Sequence, residues 1–167
     1  MQIIFRQVQE SGLPIVLANF KAAAEKIGKM NVDHWQYWKN PPEEKVKWVE
    51  EGIGNGEYYF LDLENGEPLG TVRILDEDLL YWGPQSAKAK YVHSLVINEV
   101  HNGKGYGQKV LEEVARKGKT DNCSYLRLDA DAKNLKLCSY YENLGFEKVG
   151  ERELSLSVYN LYEKAIF

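Results

Sequence analysis

The stretch from Tyr91 to Val114 constrains the fold of this chain more than any other. An apolar strand pattern runs into three closely spaced glycines, Gly103, Gly105 and Gly107, and these run into a helical pattern. A strand–glycine–helix turn directs backbone N–H groups and the positive end of the helix at one spot, which is the geometry that binds phosphate. The glycines also let a ligand approach the backbone closely. The segment therefore predicts an α/β fold with a phosphate-containing ligand at this turn.

Two common phosphate-binding motifs do not fit this turn. Its spacing is GxGxG, whereas the dinucleotide fingerprint needs GxGxxG, and no GxxxxGK[ST] sequence occurs in the chain. Taken alone, a plain strand-to-helix turn explains the glycines equally well.

Composition limits the class of protein. With 167 residues, 44% of them apolar, we expect a single domain spanning 1–167. The 21 basic and 25 acidic residues give a net charge of −4, which argues against nucleic acid or an anionic membrane as a partner. Two cysteines without a CxxC or His/Cys cluster predict no metal site. No apolar run is long enough for a signal peptide or a membrane span, so we expect a cytoplasmic protein.

Hydrophobic periodicity predicts the element order β-α-α-β-β-β-α-β-α-β-β. The Asn65-Gly66 hairpin signal at one end and β-α-β crossovers at the other imply a mixed sheet with helices on both faces. The predicted strands are 3–8, 57–63, 68–75, 90–97, 123–129, 146–149 and 154–166. The first predicted helix is 13–27, and the second begins at 41 and ends somewhere between 52 and 56. The third helix follows the glycines and ends near 117, and the fourth is 134–144.

A second block narrows the interpretation. Asn134 is followed seven positions later by Tyr141, in a helix that ends at Leu144-Gly145-Phe146. Together with Leu95-Val96-Ile97 and the segment Asn102-Gly103-Lys104-Gly105-Tyr106-Gly107, this block resembles the GNAT superfamily of N-acetyltransferases. The family signature is Arg/Gln-x-x-Gly-x-Gly/Ala, and Asn102 stands where the family has Arg or Gln. The resemblance covers the C-terminal half closely, whereas the first ~85 residues match only in element order.

The resemblance implies a fold, a cosubstrate and a reaction. The fold is an α/β (α+β) domain with a central mixed, mostly antiparallel sheet of about seven strands and helices on both faces. The reaction is acetyl transfer from acetyl-CoA to a primary amine of a small molecule or peptide, by direct attack in a ternary complex. A homodimer through the last strands is a further expectation. The implied cofactor-binding residues are Leu95, Val96, Ile97, Asn102, Gly103, Lys104, Gly105, Tyr106, Gly107, Asn134 and Tyr141, with the Ile97 amide as the oxyanion donor.

Two side chains are the catalytic candidates. The resemblance makes Tyr141 the general acid, because a phenol with a pKa of about 10 can protonate the departing thiolate. His93 is the candidate general base, since strand alternation puts it on one face with Leu95 and Ile97. The alternatives are a core tyrosine and a structural histidine. If His93 is not the base, an acid such as Asp76 or Glu77, or water alone, takes that role, and His34 and His101 are weaker candidates.

The acceptor amine is left open. Aromatic side chains and scattered acids can hold an amine by cation–π and charge contacts, or the aromatics simply pack between helix and sheet. The residues concerned are Trp35, Tyr37, Trp38, Trp82, Tyr159, Glu43, Asp76 and Glu77. The sequence does not choose among polyamines, aminoglycosides, amino acids, peptides and protein termini as the acceptor. The rival function is a non-catalytic acyl-CoA binding or sensing module, and a nucleotide-binding regulatory domain survives if the turn prefers ATP or NAD.

Overall fold

The computed structural model describes residues 2–31 and 35–167. Within them the predicted order of strands and helices is confirmed. The strands are β1 Ile3–Gln7, β2 Tyr58–Leu63, β3 Pro68–Leu75, β4 Ala89–Ile97, β5 Tyr125–Asp131, β6 Glu147–Glu153 and β7 Val158–Ala165. The helices are α1 Leu13–Lys29, α2 Glu43–Gly54, α3 Tyr106–Thr120 and α4 Leu135–Asn143. No helix of the described residues is long and apolar enough to cross a membrane.

The strands form one seven-stranded sheet in the order β1-β2-β3-β4-β5-β7-β6. Strand β4 pairs with β5 in parallel, whereas β1 with β2, β2 with β3, β5 with β7 and β6 with β7 are antiparallel. The predicted mixed, mostly antiparallel sheet is therefore confirmed. Helix α3 connects the parallel pair, because parallel neighbours need a crossover that a tight hairpin cannot supply.

The last hairpin differs from its prediction. Strand β6 continues to Glu153 instead of ending at Val149, and β7 begins at Val158 instead of Leu154. The Leu154 amide donates to the Ser157 carbonyl at 3.0 Å, so these residues form the turn between the strands. The exposed, mostly charged β6 carries no buried alternation that a sequence pattern could detect.

The chain divides into two compact units, of which the first runs to Arg73 and includes Ser94–Gly107. Its core forms where the apolar stripe of α1 meets residues of α2 and β2. Phe20 of α1 is fully buried, and its ring lies 4.8 Å from that of Trp38 and 5.2 Å from that of Trp35. Tyr37 packs against the same cluster. These aromatic side chains thus belong to or pack against the hydrophobic core, which favours the packing alternative over an acceptor-binding role.

The second unit contains Ile74–His93 and Gln108–Phe167. Arg127 of β5 is buried, and its guanidinium donates to the Tyr91 hydroxyl and to the Glu163 carboxylate, both at 2.8 Å. The same guanidinium lies 4.8 Å from the centre of the Trp82 ring. A buried charge is tolerated only with such partners, so Trp82 is also part of the packing around this arginine.

Candidate active site

His93 is enclosed by two carboxylates in the second unit. Its Nε2 lies 2.6 Å from Asp78 Oδ2, and its Nδ1 lies 3.3 Å from Asp129 Oδ2. The side chains of His93, Asp78 and Asp129 are only 9%, 5% and 9% exposed. The Tyr81 ring packs against the imidazole with centroids 4.8 Å apart. The predicted base therefore belongs to a buried cluster of titratable groups, and a cluster of this kind can hold and move a proton.

Asp78 is fixed by the backbone around it. Its Oδ1 accepts from the Tyr81 amide at 3.2 Å, and its carbonyl accepts from the Trp82 amide at 2.9 Å. The Arg152 guanidinium of β6 donates to the Leu80 carbonyl at 2.9 Å, and this bond stabilises the same turn. An aspartate that caps a turn in this way has one oxygen committed to the backbone. The other oxygen is thereby directed at His93.

Asp129 reaches the cluster from β5. The parallel register pairs Tyr91 with Arg127, and the next residue on the same face of each strand is His93 and Asp129 respectively. Burial raises the pKa of the Asp129 carboxyl to about 6, with His93 acting to lower it and Asp78 to raise it. Although its Oδ2 is within ion-pair distance of His93, it has no aligned hydrogen bond among the described residues.

The three side chains also have the spacing of a metal-ligand group, since their ligand atoms lie within 4.8 Å of one another. Two ligand atoms on a tetrahedral zinc are about 3.3 Å apart, given bonds of about 2.0 Å. The 2.6 Å contact between His93 and Asp78 is shorter than that and is a hydrogen-bond distance. The observed arrangement is thus an acid–base cluster held by direct contacts.

The carboxylates suggested by the sequence are not the ones at His93. Asp76 is exposed and pairs with Lys90 at 2.6 Å, whereas Asp78, two positions later, faces the histidine. Sequence reasoning missed both Asp78 and Asp129. An aspartate between two apolar residues of a strand, as Asp129 is between Leu128 and Ala130, is the signal that could have found this site, because such a group is buried only at a cost.

Asp129→Asn is expected to stabilise the folded protein at neutral and higher pH. A pKa raised from 3.8 to about 6 means that ionised Asp129 opposes folding, by up to ~3 kcal/mol. The free energy of unfolding of the wild type is therefore highest below about pH 4, where the carboxyl is protonated in both the folded and the unfolded state. It falls as the pH rises through about 6, where folded Asp129 ionises. Urea unfolding at pH 4.5 and pH 8 checks this: the gain in the variant should be larger at pH 8. A loss of stability that is larger at pH 8 would contradict it.

A left-handed residue interrupts β4 just after His93. Ser94 has a φ of 52°, a left-handed conformation that non-glycine residues rarely adopt and that departs from regular strand geometry. Strict alternation does not continue through such a residue. The predicted shared face of His93, Leu95 and Ile97 therefore loses its basis, although the placement of His93 on β4 is confirmed.

Tyr141 lies in α4, whose first turn is capped by Asn134. The Asn134 side chain accepts from the Leu137 amide at 3.1 Å, so this residue has a structural role. Tyr141 is buried and its ring packs near those of Phe146 and Tyr162. Burial raises the pKa of its phenol above the ordinary value of 10.0, and the negative charge of Asp129 adds to the effect. The phenol is therefore protonated throughout the neutral range, as a proton donor must be.

The glycine turn lies in the first unit. Gly103 and Gly105 have φ values of +74° and +77°, which glycine alone adopts readily, and a Cβ at either position would meet no atom within 4 Å. Asn102 and Lys104 are exposed beside them, and α3 begins at Tyr106 with Gly107 in its first turn. His101 is buried against the Tyr106 ring at 5.7 Å, whereas His34 lies outside the described residues. Open space at the start of a helix fits a phosphate ligand.

The end of β4 leaves one backbone amide directed away from β3. The Asn98 amide donates to the Leu69 carbonyl at 2.8 Å, and a Cβ at Gly70 would overlap the Val96 carbonyl oxygen. Residues 96 and 98 thus direct their polar groups toward β3. Because these groups alternate along a strand, the amide of Ile97 points to the opposite side. Val96 is buried, while Leu95 and Ile97 are half-buried.

Known proteins share this fold, and one family model matches most of the chain. Residues 27–146 match the model of the acetyltransferase (GNAT) family. A GNAT acetyltransferase from Listeria monocytogenes is 19% identical with a TM-score of 0.78, and the match covers 98% of this chain and 94% of that one. One from Streptococcus agalactiae is 18% identical with a TM-score of 0.77, covering 98% and 95%. A spermidine N-acetyltransferase chimera of Vibrio cholerae and human sequence is 12% identical with a TM-score of 0.68, covering 99% and 96%. No curated protein sequence matches the chain.

The family match covers more than two thirds of the chain, from the end of α1 to the start of β6. The protein belongs to the GNAT family of N-acetyltransferases. The resemblance seen in the glycine turn and in the Asn134–Tyr141 helix is thereby confirmed.

Proposed function

We propose that this enzyme transfers the acetyl group of acetyl-CoA to a primary amine of a small molecule or peptide, by direct attack in a ternary complex. The observation that carries the proposal is the buried His93 between Asp78 and Asp129 in a chain of this family. A non-catalytic acyl-CoA sensor has no need for a buried acid–base cluster, which costs folding stability. The cluster therefore favours catalysis over the rival function.

Acetyl-CoA is assigned to the glycine turn. The exposed residues 103–105 and the N-terminus of α3 suit its pyrophosphate, and the open space at Gly103 and Gly105 leaves room for it. The Ile97 amide, directed away from β3, is the group assigned to polarise the acetyl carbonyl.

The acceptor must lose a proton before it can attack. An alkyl ammonium has a pKa of about 10, so almost all of it is protonated at neutral pH. His93 and Asp129 supply the proton acceptor on this proposal. Protonated Tyr141 is the assigned donor to the departing thiolate, and its raised pKa keeps the proton in place until then.

The surroundings of the cluster favour a cationic acceptor. Two carboxylates face His93, and the rings of Tyr81 and Tyr159 lie 5.2 Å apart beside them. Acidic and aromatic groups together attract an ammonium. Polyamines are therefore the first acceptors to test, and spermidine is the substrate in the name of one protein with the same fold.

A screen of amines with acetyl-CoA, detecting free coenzyme A thiol, tests the function. We expect amine-dependent thiol release by the wild type and none by Gly105→Val, whose side chain would fill the space for pyrophosphate. Thermal shift should likewise show stabilisation of the wild type by coenzyme A species and none of the variant.

Gly66→Val is the matched control for this experiment. Gly66 has a φ of +85° and open space around its Cβ position, so valine strains the backbone there as it does at Gly105. Both variants should lose ~1–3 kcal/mol of stability, but only Gly105→Val should lose the coenzyme A response. Stabilisation by ATP or NAD without stabilisation by acetyl-CoA would overturn the proposal.

A further inference from the structure

We propose that Gly70 of β3 is a positioning residue which, with the strand register held by Asn98, fixes the direction of the Ile97 amide. This inference rests on the proposed function and deepens it, since that amide is the group assigned to polarise the acetyl carbonyl. Gly70 lies in the interior of a strand, where glycine costs conformational entropy and has no side chain to pack. A glycine at such a place often marks the close approach of another backbone, and here that backbone belongs to β4.

Space, and not backbone strain, excludes a side chain at Gly70. Its φ lies outside the left-handed region that favours glycine. A Cβ there would overlap the Val96 carbonyl oxygen, and would lie 3.0 Å from the Val96 carbonyl carbon and 3.2 Å from the Ile97 Cα. All three atoms are backbone, so no change of rotamer can move them aside. A side chain at position 70 must therefore displace the peptide group that joins Val96 to Ile97.

That peptide group carries the amide in question. The Val96 oxygen is nearer than the carbonyl carbon to the Cβ position, so the C=O bond points towards Gly70. In a planar trans peptide the N–H bond points the opposite way, so the Ile97 N–H is directed away from Gly70. Because the unit is rigid, turning its carbonyl also turns its N–H. The missing side chain at Gly70 thus sets the direction of the Ile97 amide.

Asn98 holds the register of the two strands beside this contact. Its backbone amide donates to the Leu69 carbonyl at 2.8 Å, and its side-chain Nδ2 donates to the Pro68 carbonyl at 3.1 Å. The parallel pairing of β4 with β5 ends at Val92 and does not reach Ile97. The contacts with β3 are therefore the ones that fix this end of β4.

Gly70→Ala is expected to lower kcat by roughly 10²-fold, the effect that a misplacement of about 1 Å can have on a reacting group. Coenzyme A affinity should change little, because the turn at residues 103–105 is assigned to bind the pyrophosphate. Steady-state kinetics with a fixed amine and a thermal-shift titration of coenzyme A separate these effects. An unchanged kcat in folded Gly70→Ala would overturn the inference.

Two other glycines provide matched controls. A Cβ at Gly150 of β6 would have its nearest neighbour, in the Leu161 side chain, at 3.7 Å, so Gly150→Ala adds a methyl group to a strand without a clash. A Cβ at Gly12 would lie 2.7 Å from the Val8 side chain, so Gly12→Ala causes a clash that does not involve β4. Both variants should keep the wild-type kcat, although Gly12→Ala should be less stable. An equal loss of kcat in Gly12→Ala and Gly70→Ala would assign the effect to lost stability and overturn the inference.

NMR of ¹⁵N-labelled protein without an acceptor amine reads the Ile97 amide directly. The amide proton should lie at lower field in the acetyl-CoA complex than in the coenzyme A complex, because the thioester carbonyl distinguishes the two ligands. This difference should be absent or much smaller in Gly70→Ala. No difference in the wild type, or an equal difference in the variant, would overturn the inference.

Asn98→Ala decides the matter if Gly70→Ala does not fold. It removes one hydrogen bond of a half-buried side chain, and should lower kcat severalfold and reduce the shift difference of the Ile97 amide. A wild-type kcat with an unchanged shift difference would then overturn the inference. Absence of amine-dependent thiol release by the wild type overturns the proposed function instead, and the NMR comparison still decides whether Gly70 orients the amide.

Discussion

On the proposed mechanism, Tyr141→Phe is expected to lower kcat by roughly 10²–10⁴-fold, because it removes the assigned proton donor to the departing thiolate and keeps the ring. The ring remains to pack near Phe146 and Tyr162, so the fold should be retained. Coenzyme A affinity should change little, since the phenol proton acts only as the thiolate leaves. Steady-state kinetics with a fixed amine, together with a thermal-shift titration of coenzyme A, separate the two effects.

The adjacent tyrosine provides the control. Tyr140 is 38% exposed, and Tyr140→Phe should leave kcat near the wild-type value. Burial raises the pKa of Tyr141 above 10, so wild-type kcat should show no descending limb below about pH 10. Equal activity in Tyr141→Phe and the wild type would return Tyr141 to the role of a core tyrosine.

Local patterns were enough to predict the order of the elements. Hydrophobic period and glycine punctuation depend on neighbouring residues, and these mark the helices and the turn at residues 102–107 correctly. The helix that begins after Asn134 was found from the same kind of signal, and its capping interaction explains why Asn134 itself lies just before the helix. The ends of β6 and β7 were missed because β6 is exposed and charged and so lacks the period.

The composition of the candidate site depends on pairing that a pattern does not reveal. His93 was predicted because strand alternation puts it on one face with Leu95 and Ile97. Its partners come from 15 residues earlier and from the parallel neighbour β5. Asp76 and Glu77 appeared equal to Asp78 in the sequence, and only the turn that commits Asp78 Oδ1 to the Tyr81 amide distinguishes them.

The positive φ of Ser94 shows a second limit of sequence-based prediction. A serine in the sequence does not indicate a positive φ as a glycine or an asparagine would. The sequence therefore predicts a regular strand with unbroken alternation of its side chains. A strand with one left-handed residue directs the side chains before and after it differently from a regular strand. The surroundings of His93 therefore had to come from the structure.

His93→Gln is expected to lower kcat/KM at pH 8 by roughly 10²–10⁴-fold and to remove the ascending limb of its pH profile. We expect that limb near pH 6 in the wild type, because Asp129, whose Oδ2 lies 3.3 Å from His93 Nδ1, has a pKa of about 6. The rate rises with pH since only the deprotonated pair can accept the amine proton.

The acceptor itself supplies the sharpest control for His93. Glutamine can still donate to Asp78 but cannot take up a proton, so acetyl-CoA binding should be intact in the variant. An amine whose pKa lies below the assay pH is already neutral and needs no base. The defect of His93→Gln should therefore be large for an amine with a pKa of about 10 and much smaller for one with a pKa of about 7. An equal defect for both amines, or an ascending limb that survives in the variant, would assign proton removal to another acid or to water.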